Sequence, residues 1–146
     1  MRTFAVAILL FGMTLAAAAQ TKYGVGIVIG VPSGVSGSFV TSPATSVDVQ
    51  LAWSVQNTFF IQGHYDMLIA RVHETRDQTV RLYGGPGAFV RLSSYNRDLF
   101  GFSGNFGMGW MFNNHLELFA ELAPKVGLIS ATELDMTGGI GFRYIF

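Results

Sequence analysis

Bulky apolar residues alternate with small or polar residues along much of the chain, and this pattern restricts the folds that the chain can adopt. Segment 46–54 shows it most clearly, because its odd-numbered positions are Val, Val, Leu and Trp while the even-numbered ones are Ser, Asp, Gln, Ala and Ser. Successive side chains of a β-strand point to opposite faces of a sheet, so this period of two predicts strands. The predicted strands are 23–30, 35–41, 46–54, 58–68, 79–92, 99–112, 115–124 and 135–146. Eight short strands separated by turns predict an all-β fold, an antiparallel up-and-down barrel.

The composition of the two faces predicts which one is turned outward. The bulky set is aliphatic and aromatic, whereas the other set is mostly Gly and Ser with isolated charges, and charged residues are only 12% of the chain. A soluble barrel needs an exterior rich in Lys and Glu. The narrow interior of an eight-stranded barrel is instead just filled by side chains. We therefore predict an eight-stranded transmembrane β-barrel whose apolar face meets lipid.

Aromatic residues are predicted to gather in two belts on this barrel. If the chain termini lie in the periplasm, one group falls near the periplasmic boundary and a second group near the outer boundary. The two groups are Tyr23, Phe39, Trp110, Phe112, Tyr144 and Phe146, and Trp53, Phe59 and Phe100. Two such belts are typical of outer-membrane barrels.

The first nineteen residues have the features of a cleaved export signal. Arg2 precedes an apolar run at 4–15 that is short for crossing a bilayer, and the small residues at 16–19 suit a cleavage site. The alternative is an uncleaved membrane anchor. We predict a signal peptide at 1–19 and a barrel at 20–146, exported through the general secretory route.

The end of the chain resembles the C-terminal strand of bacterial outer-membrane barrels, because Phe142 and Tyr144 precede a terminal Phe146 at alternate positions. The wider layout is similar to small OmpA/OmpX-like barrels of Gram-negative bacteria, and most similar to a family of outer-membrane barrels without assigned chemistry. The stretches that carry this resemblance are 24–34, 82–87, 118–124 and 138–146. The resemblance implies an outer-membrane location in contact with lipid. It also implies that the barrel assembly machinery recognises the terminal aromatic residues.

Composition excludes several kinds of site. The chain has no Cys, so disulfides, thiolate metal sites and Cys nucleophiles are excluded. Nine basic and nine acidic residues leave no net charge and no basic footprint for nucleic acid. His115 and Glu117 offer only two metal ligands, so we predict no metal site and no cofactor. We also predict that the barrel is a monomer.

Inward-facing polar residues are the candidate functional residues. Isolated charges in a narrow interior are costly unless they are paired, so we predict an internal network of ion pairs and hydrogen bonds. Its predicted members are Asp48, Gln50, Gln62, His64, Asp66, Arg81, Arg91, Glu117, Glu121 and Arg143, with Asp135 as a further inward acid. Within this network Glu121 is predicted to pair with Arg143, and Arg81 or Arg91 is the alternative partner.

Three functions fit this pattern. The first is a non-enzymatic outer-membrane protein with a structural or surface-interaction role and a packed polar lumen. The second is a lipid-A-modifying enzyme, a deacylase or acyltransferase, which needs a Ser that a His activates. His64 lies in no His-x-Ser context, and the chain has no G-x-S-x-G motif. The third is a narrow ion conductance, which needs an open lumen.

One connection is predicted to differ from the rest. Residues 71–77 are mostly charged or polar and are expected to form a long connector on the side of the termini. The opposite turns are expected to be short, which argues against adhesion through long loops.

Overall fold

The structure is a computed structural model that describes residues 22–54, 57–94, 97–129 and 132–146 of the 146-residue chain. The predicted signal peptide at 1–19 lies outside the described residues. The described residues contain no helix that is long and apolar enough to span a membrane.

The described residues form eight strands in one closed sheet. They are β1 (Lys22–Val31), β2 (Gly34–Ser42), β3 (Thr45–Ser54), β4 (Thr58–Glu74), β5 (Gln78–Ser93), β6 (Leu99–Phe112), β7 (Leu116–Ile129) and β8 (Glu133–Ile145). Each strand pairs antiparallel with the next strand along the chain, and β8 pairs with β1. Closure gives both terminal strands two neighbours, which removes the free edges of an open sheet. The predicted all-β, eight-stranded up-and-down barrel is confirmed.

Short turns connect these strands where the sequence offers turn residues. Asn113 and Asn114 have φ angles of 49° and 58° in the turn between β6 and β7. Positive φ at both central residues is characteristic of tight hairpin turns, and Asn tolerates it better than most residues. Between β1 and β2, the Ser33 hydroxyl accepts a hydrogen bond from the Gly30 amide and donates one to the Gly30 carbonyl, both at 3.0 Å.

The predicted connector at 71–77 is wrong, because β4 continues to Glu74 and β5 begins at Gln78. The ladder between the two strands includes the pairs Arg71 with Arg81 and Glu74 with Thr79, and a Thr75 N–H···O=C Gln78 bond of 2.7 Å closes the turn. These residues are polar because the hairpin projects past its neighbour β3, whose pairing with β4 stops at Met67. The polar residues at 71–77 indicate exposure to water, not a loss of strand structure.

The predicted seventh strand is displaced at both ends. β7 begins at Leu116, so His115 belongs to the preceding turn, and β7 continues past Pro124 to Ile129. Pro124 does not end the strand, because it still faces Met136 in the ladder with β8.

The two faces of the sheet have opposite polarity. Among the described residues, fourteen polar or charged residues are buried against nine hydrophobic ones, so the interior is mainly polar. Large apolar side chains on the exterior remain exposed, as Trp53, Phe106 and Ile140 illustrate. The predicted orientation of the alternating sets is confirmed, because an interior like this is the inverse of a soluble core.

Candidate functional site

A network centred on Arg143 of β8 fills the middle of the lumen. The residue is only 1% exposed. Its Nη1 lies 3.0 Å from Asp48 Oδ2 and 3.4 Å from Glu117 Oε2, and its Nη2 lies 3.3 Å from Glu121 Oε1. Its Nε donates to Ser36 Oγ at 2.8 Å. One guanidinium therefore joins three carboxylates, and the predicted pairing of Glu121 with Arg143 is one of these contacts.

Glu121 is held by two further donors. The Tyr83 hydroxyl donates to Glu121 Oε1 at 2.7 Å, and Gln50 Nε2 donates to Glu121 Oε2 at 2.5 Å. Gln62 Nε2 in turn donates to Gln50 Oε1 at 2.5 Å. Because β3 and β7 lie on opposite sides of the closed sheet, the Gln50 bond crosses the lumen, whereas the Tyr83 bond passes over β6, which lies between β5 and β7.

Three buried carboxylates approach one another in this network. Oxygens of Asp48, Asp66 and Glu121 lie within 4.8 Å of one another, a spacing that a metal ion can bridge. However, Ser38 Oγ donates to Asp48 Oδ1 at 2.5 Å, and Asn105 Nδ2 lies 3.1 and 3.0 Å from the two Asp66 oxygens. Every oxygen of these three carboxylates thus has a protein donor, and the geometry gives no reason to assign an ion.

The two remaining arginines of the predicted network lie towards opposite ends of the barrel. Arg81 Nη2 contacts Glu117 Oε1 at 2.7 Å and so joins the central network near the chain termini. Arg91 does not join it, because its Nη2 contacts Glu133 Oε2 at 3.3 Å across the other mouth. Asp135 is also outside the network, since it is exposed and accepts the Met136 amide at 2.8 Å.

His64 makes a contact that sequence reasoning missed. Its Nε2 lies 2.8 Å from Ser103 Oγ, and both residues are buried. Ser103 lies on β6 and His64 on β4, with β5 between them, so the curvature of the sheet rather than strand pairing brings the two side chains together. Among the residues that the structure describes, no carboxylate forms a hydrogen bond with the other His64 ring nitrogen. His115 makes a different contact, because it lies in the turn and its Nδ1 lies 3.1 Å from the Ile145 carbonyl oxygen.

An apolar cluster occupies the lumen at the end opposite the termini. It consists of Ala52, Phe60, Phe89 and Leu99, all of which are buried. Lys125 Nζ lies 3.6 Å from the centroid of the Phe60 ring and 5.2 Å from that of Phe89, and Lys125 is 2% exposed. A cation over aromatic rings is stabilised by their quadrupoles. Lys125 was missed because the predicted strand ended at Pro124, although Val126 and Leu128 continue the alternation.

Two small spaces extend from the mouths of the barrel to the network. One cavity of about 20 Å³ is lined in part by Asp48, Asp66 and Arg143, and another of about 10 Å³ in part by Gln62 and Glu121. Spaces of this size hold about one water molecule each. The lumen is therefore packed and ion-paired around Arg143, in contrast to the open lumen that a conductance requires.

The comparisons with known proteins concern the fold. No protein-family model and no curated protein matches the chain. Ail, the attachment invasion locus protein of Yersinia pestis, aligns with 86% of this chain and 95% of its own at 16% identity, with a TM-score of 0.39. The N-terminal β-barrel domain of Pseudomonas aeruginosa OprF aligns with 86% of this chain and 96% of its own at 12% identity, with a TM-score of 0.64. The barrel described above is therefore similar in fold to the OprF domain, and the predicted resemblance to small outer-membrane barrels is confirmed at that level.

Proposed function

We propose that the protein is an integral outer-membrane β-barrel with a structural or surface-interaction role and no enzymatic activity. The observation that carries this proposal is the apolar exterior around a polar, ion-paired lumen. In water, so extensive an apolar surface would drive association. In a bilayer it is the surface that a transmembrane barrel presents to lipid.

Aromatic residues at both ends of the exterior support the same proposal. At the end that carries the termini, the ring pairs are Tyr23–Phe39, Trp110–Phe112 and Tyr144–Phe146, with centroids 5.8, 4.8 and 5.1 Å apart. At the other end, Trp53 of β3 faces Phe59 of β4. Aromatic rings favour the two membrane–water boundaries, which supports a barrel that spans a bilayer. We propose that its termini lie on the periplasmic side.

The C-terminal strand supports recognition during assembly. Phe142, Tyr144 and Phe146 all remain exposed on the outer face of β8 or just beyond it. An aromatic surface at the end of the chain is accessible to the barrel assembly machinery, the partner that the resemblance implies. Outer-membrane lipid is the other proposed partner, and the barrel is proposed to act as a monomer.

The test of location is cell fractionation. We expect the protein to stay with outer membranes after carbonate or urea washing, because its apolar exterior is held by lipid. On a gel, the unheated protein should migrate differently from the heated protein, because a closed barrel resists detergent until it is heated. Recovery of the folded protein in the soluble periplasm would contradict the proposal.

One observation favours a lipid-modifying enzyme as the second candidate. The 2.8 Å contact between His64 Nε2 and Ser103 Oγ is the geometry in which an imidazole accepts a hydroxyl proton and activates the oxygen as a nucleophile. The pair nevertheless lies inside the lumen, beyond the reach of an acyl chain in the bilayer. No acid orients the imidazole among the described residues, which weakens the case for catalysis.

Replacing Ser103 by Ala separates these two candidates. If the barrel is not an enzyme, cells that express wild-type protein, the Ser103→Ala variant or no protein should contain the same lipid A species by mass spectrometry. The variant should lose only about 1 kcal/mol of stability, the usual contribution of one hydrogen bond. A lipid A species that appears with wild type and disappears with a folded Ser103→Ala variant would establish the enzyme instead.

A further inference from the structure

The mouth of the barrel near the chain termini opens into a cavity of about 500 Å³, called here the vestibule. Three basic residues line it, Lys22 of β1, Arg71 of β4 and Arg81 of β5. No acidic residue is among the described residues that line it. Its volume lies in the range of small-molecule sites, so the vestibule has both the size and the charge to hold an anionic ligand.

Two of these cations face each other directly. Arg71 and Arg81 are register partners in the ladder between β4 and β5, and both line the vestibule. Like charges at opposed positions of neighbouring strands are destabilising. Arg71 also contacts Glu74 at 3.4 Å, but both side chains are largely exposed, and such surface pairs contribute little. Glu117 already offsets part of this repulsion through its 2.7 Å contact with Arg81, and an anion bound beside both arginines would offset it further.

The vestibule cations also keep unused hydrogen-bond donors. Arg81 uses Nη2 on Glu117, and its Nη1 forms no hydrogen bond with a described residue. Its Nε is also without a partner among the described residues, but that atom is buried and out of reach of a ligand. Lys22 forms no ion pair with a described residue, which leaves its ammonium donors for a ligand. The hydroxyl of Thr79 and the amide of Asn114 belong to residues of the same lining. Arg presents a planar fork of donors that matches phosphate oxygens, and Lys supplies a point charge.

We propose that the vestibule binds a small phosphate-bearing molecule through Lys22, Arg71 and Arg81. A phosphate group alone is much smaller than 500 Å³, so the cavity leaves room for an organic part of the ligand. Val40 and Met111 line the same cavity and give that part an apolar surface. The phosphate belongs either to a soluble ester or to a lipid headgroup at the membrane boundary. This site is independent of the structural role proposed above.

The test is isothermal titration of the detergent-purified protein with inorganic phosphate and with glycerol 3-phosphate. Both probes should bind, and glycerol 3-phosphate should bind more tightly because it fills more of the vestibule. Arg71→Gln and Lys22→Gln should each weaken binding about tenfold, as expected for the loss of a charge-assisted hydrogen bond. Arg71→Lys keeps the charge but loses the planar fork, so it should weaken binding less than Arg71→Gln.

Arg76→Gln is the matched control, because Arg76 lies in the turn between β4 and β5, is exposed and does not line the vestibule. It removes the same charge from the same end, and it should change binding by less than about twofold because exposed charges act weakly. Binding that falls equally in all variants would overturn the site in favour of general electrostatic attraction, and so would the absence of binding. Heat modifiability of each variant on a gel reports whether the barrel is folded.

Repeating the titration in phosphatidylcholine vesicles with and without phosphatidylglycerol identifies the source of the phosphate. Competition by the anionic lipid supports a headgroup ligand, and undiminished binding supports a soluble ester. A failure of the vestibule site is distinguishable from a failure of the proposed location, because cell fractionation does not depend on any vestibule residue.

Discussion

Replacing Arg143 by Met is expected to destabilise the barrel by about 3–5 kcal/mol, the range for breaking a buried ion pair by removing one partner. Arg143 is the shared cation of Asp48, Glu117 and Glu121, with nitrogen–oxygen distances of 3.0–3.4 Å. Its guanidinium also lies 3.9 Å from the centroid of the Phe119 ring. Without the guanidinium, three carboxylates remain close together in a lumen with little water. The neighbouring donors Tyr83 and Gln50 do not replace its charge.

Urea unfolding in lipid vesicles, followed by tryptophan fluorescence, measures this loss. The matched control is Arg91→Met, which also removes a guanidinium group, but from the partly exposed ion pair with Glu133. We expect the control to cost about 0–1 kcal/mol, because water solvates the charge that is left. Equal losses for the two variants would show that the Arg143 network is not a buried, charge-paired structure.

A double substitution tests the coupling inside this network. Glu121→Gln should destabilise the wild-type barrel, because Gln offers no charge to Arg143. In the Arg143→Met background the same change removes one of three repelling carboxylates, so its cost should fall or change sign. Groups in one ion-pair network typically show coupling energies of about 0.5–3 kcal/mol. Strict additivity would mean that Glu121 and Arg143 act independently.

Replacing Ile140 by Arg is expected to cost about 2–4 kcal/mol in a bilayer, the range for Arg on the lipid face at the midplane. Ile140 lies in the middle of β8 on the outer face and is 68% exposed. In an aqueous environment the same substitution would cost little, because an exposed Arg is well solvated. The free energy of unfolding in vesicles therefore tests directly whether the exterior lies in lipid.

Leu134→Arg is the matched control on the same strand and the same face. Leu134 is 81% exposed and lies at the start of β8, away from the middle of the barrel. Near an interface the cost of Arg falls to about 0–1 kcal/mol. A large loss at Ile140 with a small loss at Leu134 is the depth dependence that a bilayer imposes. Losses of the same size at both positions would contradict a membrane-spanning barrel.

The number of strands, their faces and the polarity of the two faces follow from the amino-acid pattern alone. The reason is that strand alternation has a period of two, so each residue's face follows from its neighbours alone. The predicted strands 99–112 and 115–124 also left Asn113 and Asn114 for the turn, because turn residues act locally. The ends of the strands were harder to predict from the sequence. Residues 71–74 and 125–127 remain in strands because β5 and β8 pair with them, and pairing is not a local property.

Which inward residues contact one another depends on the folded barrel. Gln50 contacts Glu121, Ser103 contacts His64 and Arg143 contacts Asp48 between strands that are not neighbours in the sheet. These contacts depend on the shifts in register between neighbouring strands, which add up around the closed barrel. Shifting a strand by two residues along its neighbour leaves the alternation unchanged. The alternation therefore fixes the face of each side chain but not its height in the lumen. The vestibule depends on the same stagger, because β4 projects past β3 and brings Arg71 to the mouth beside Arg81.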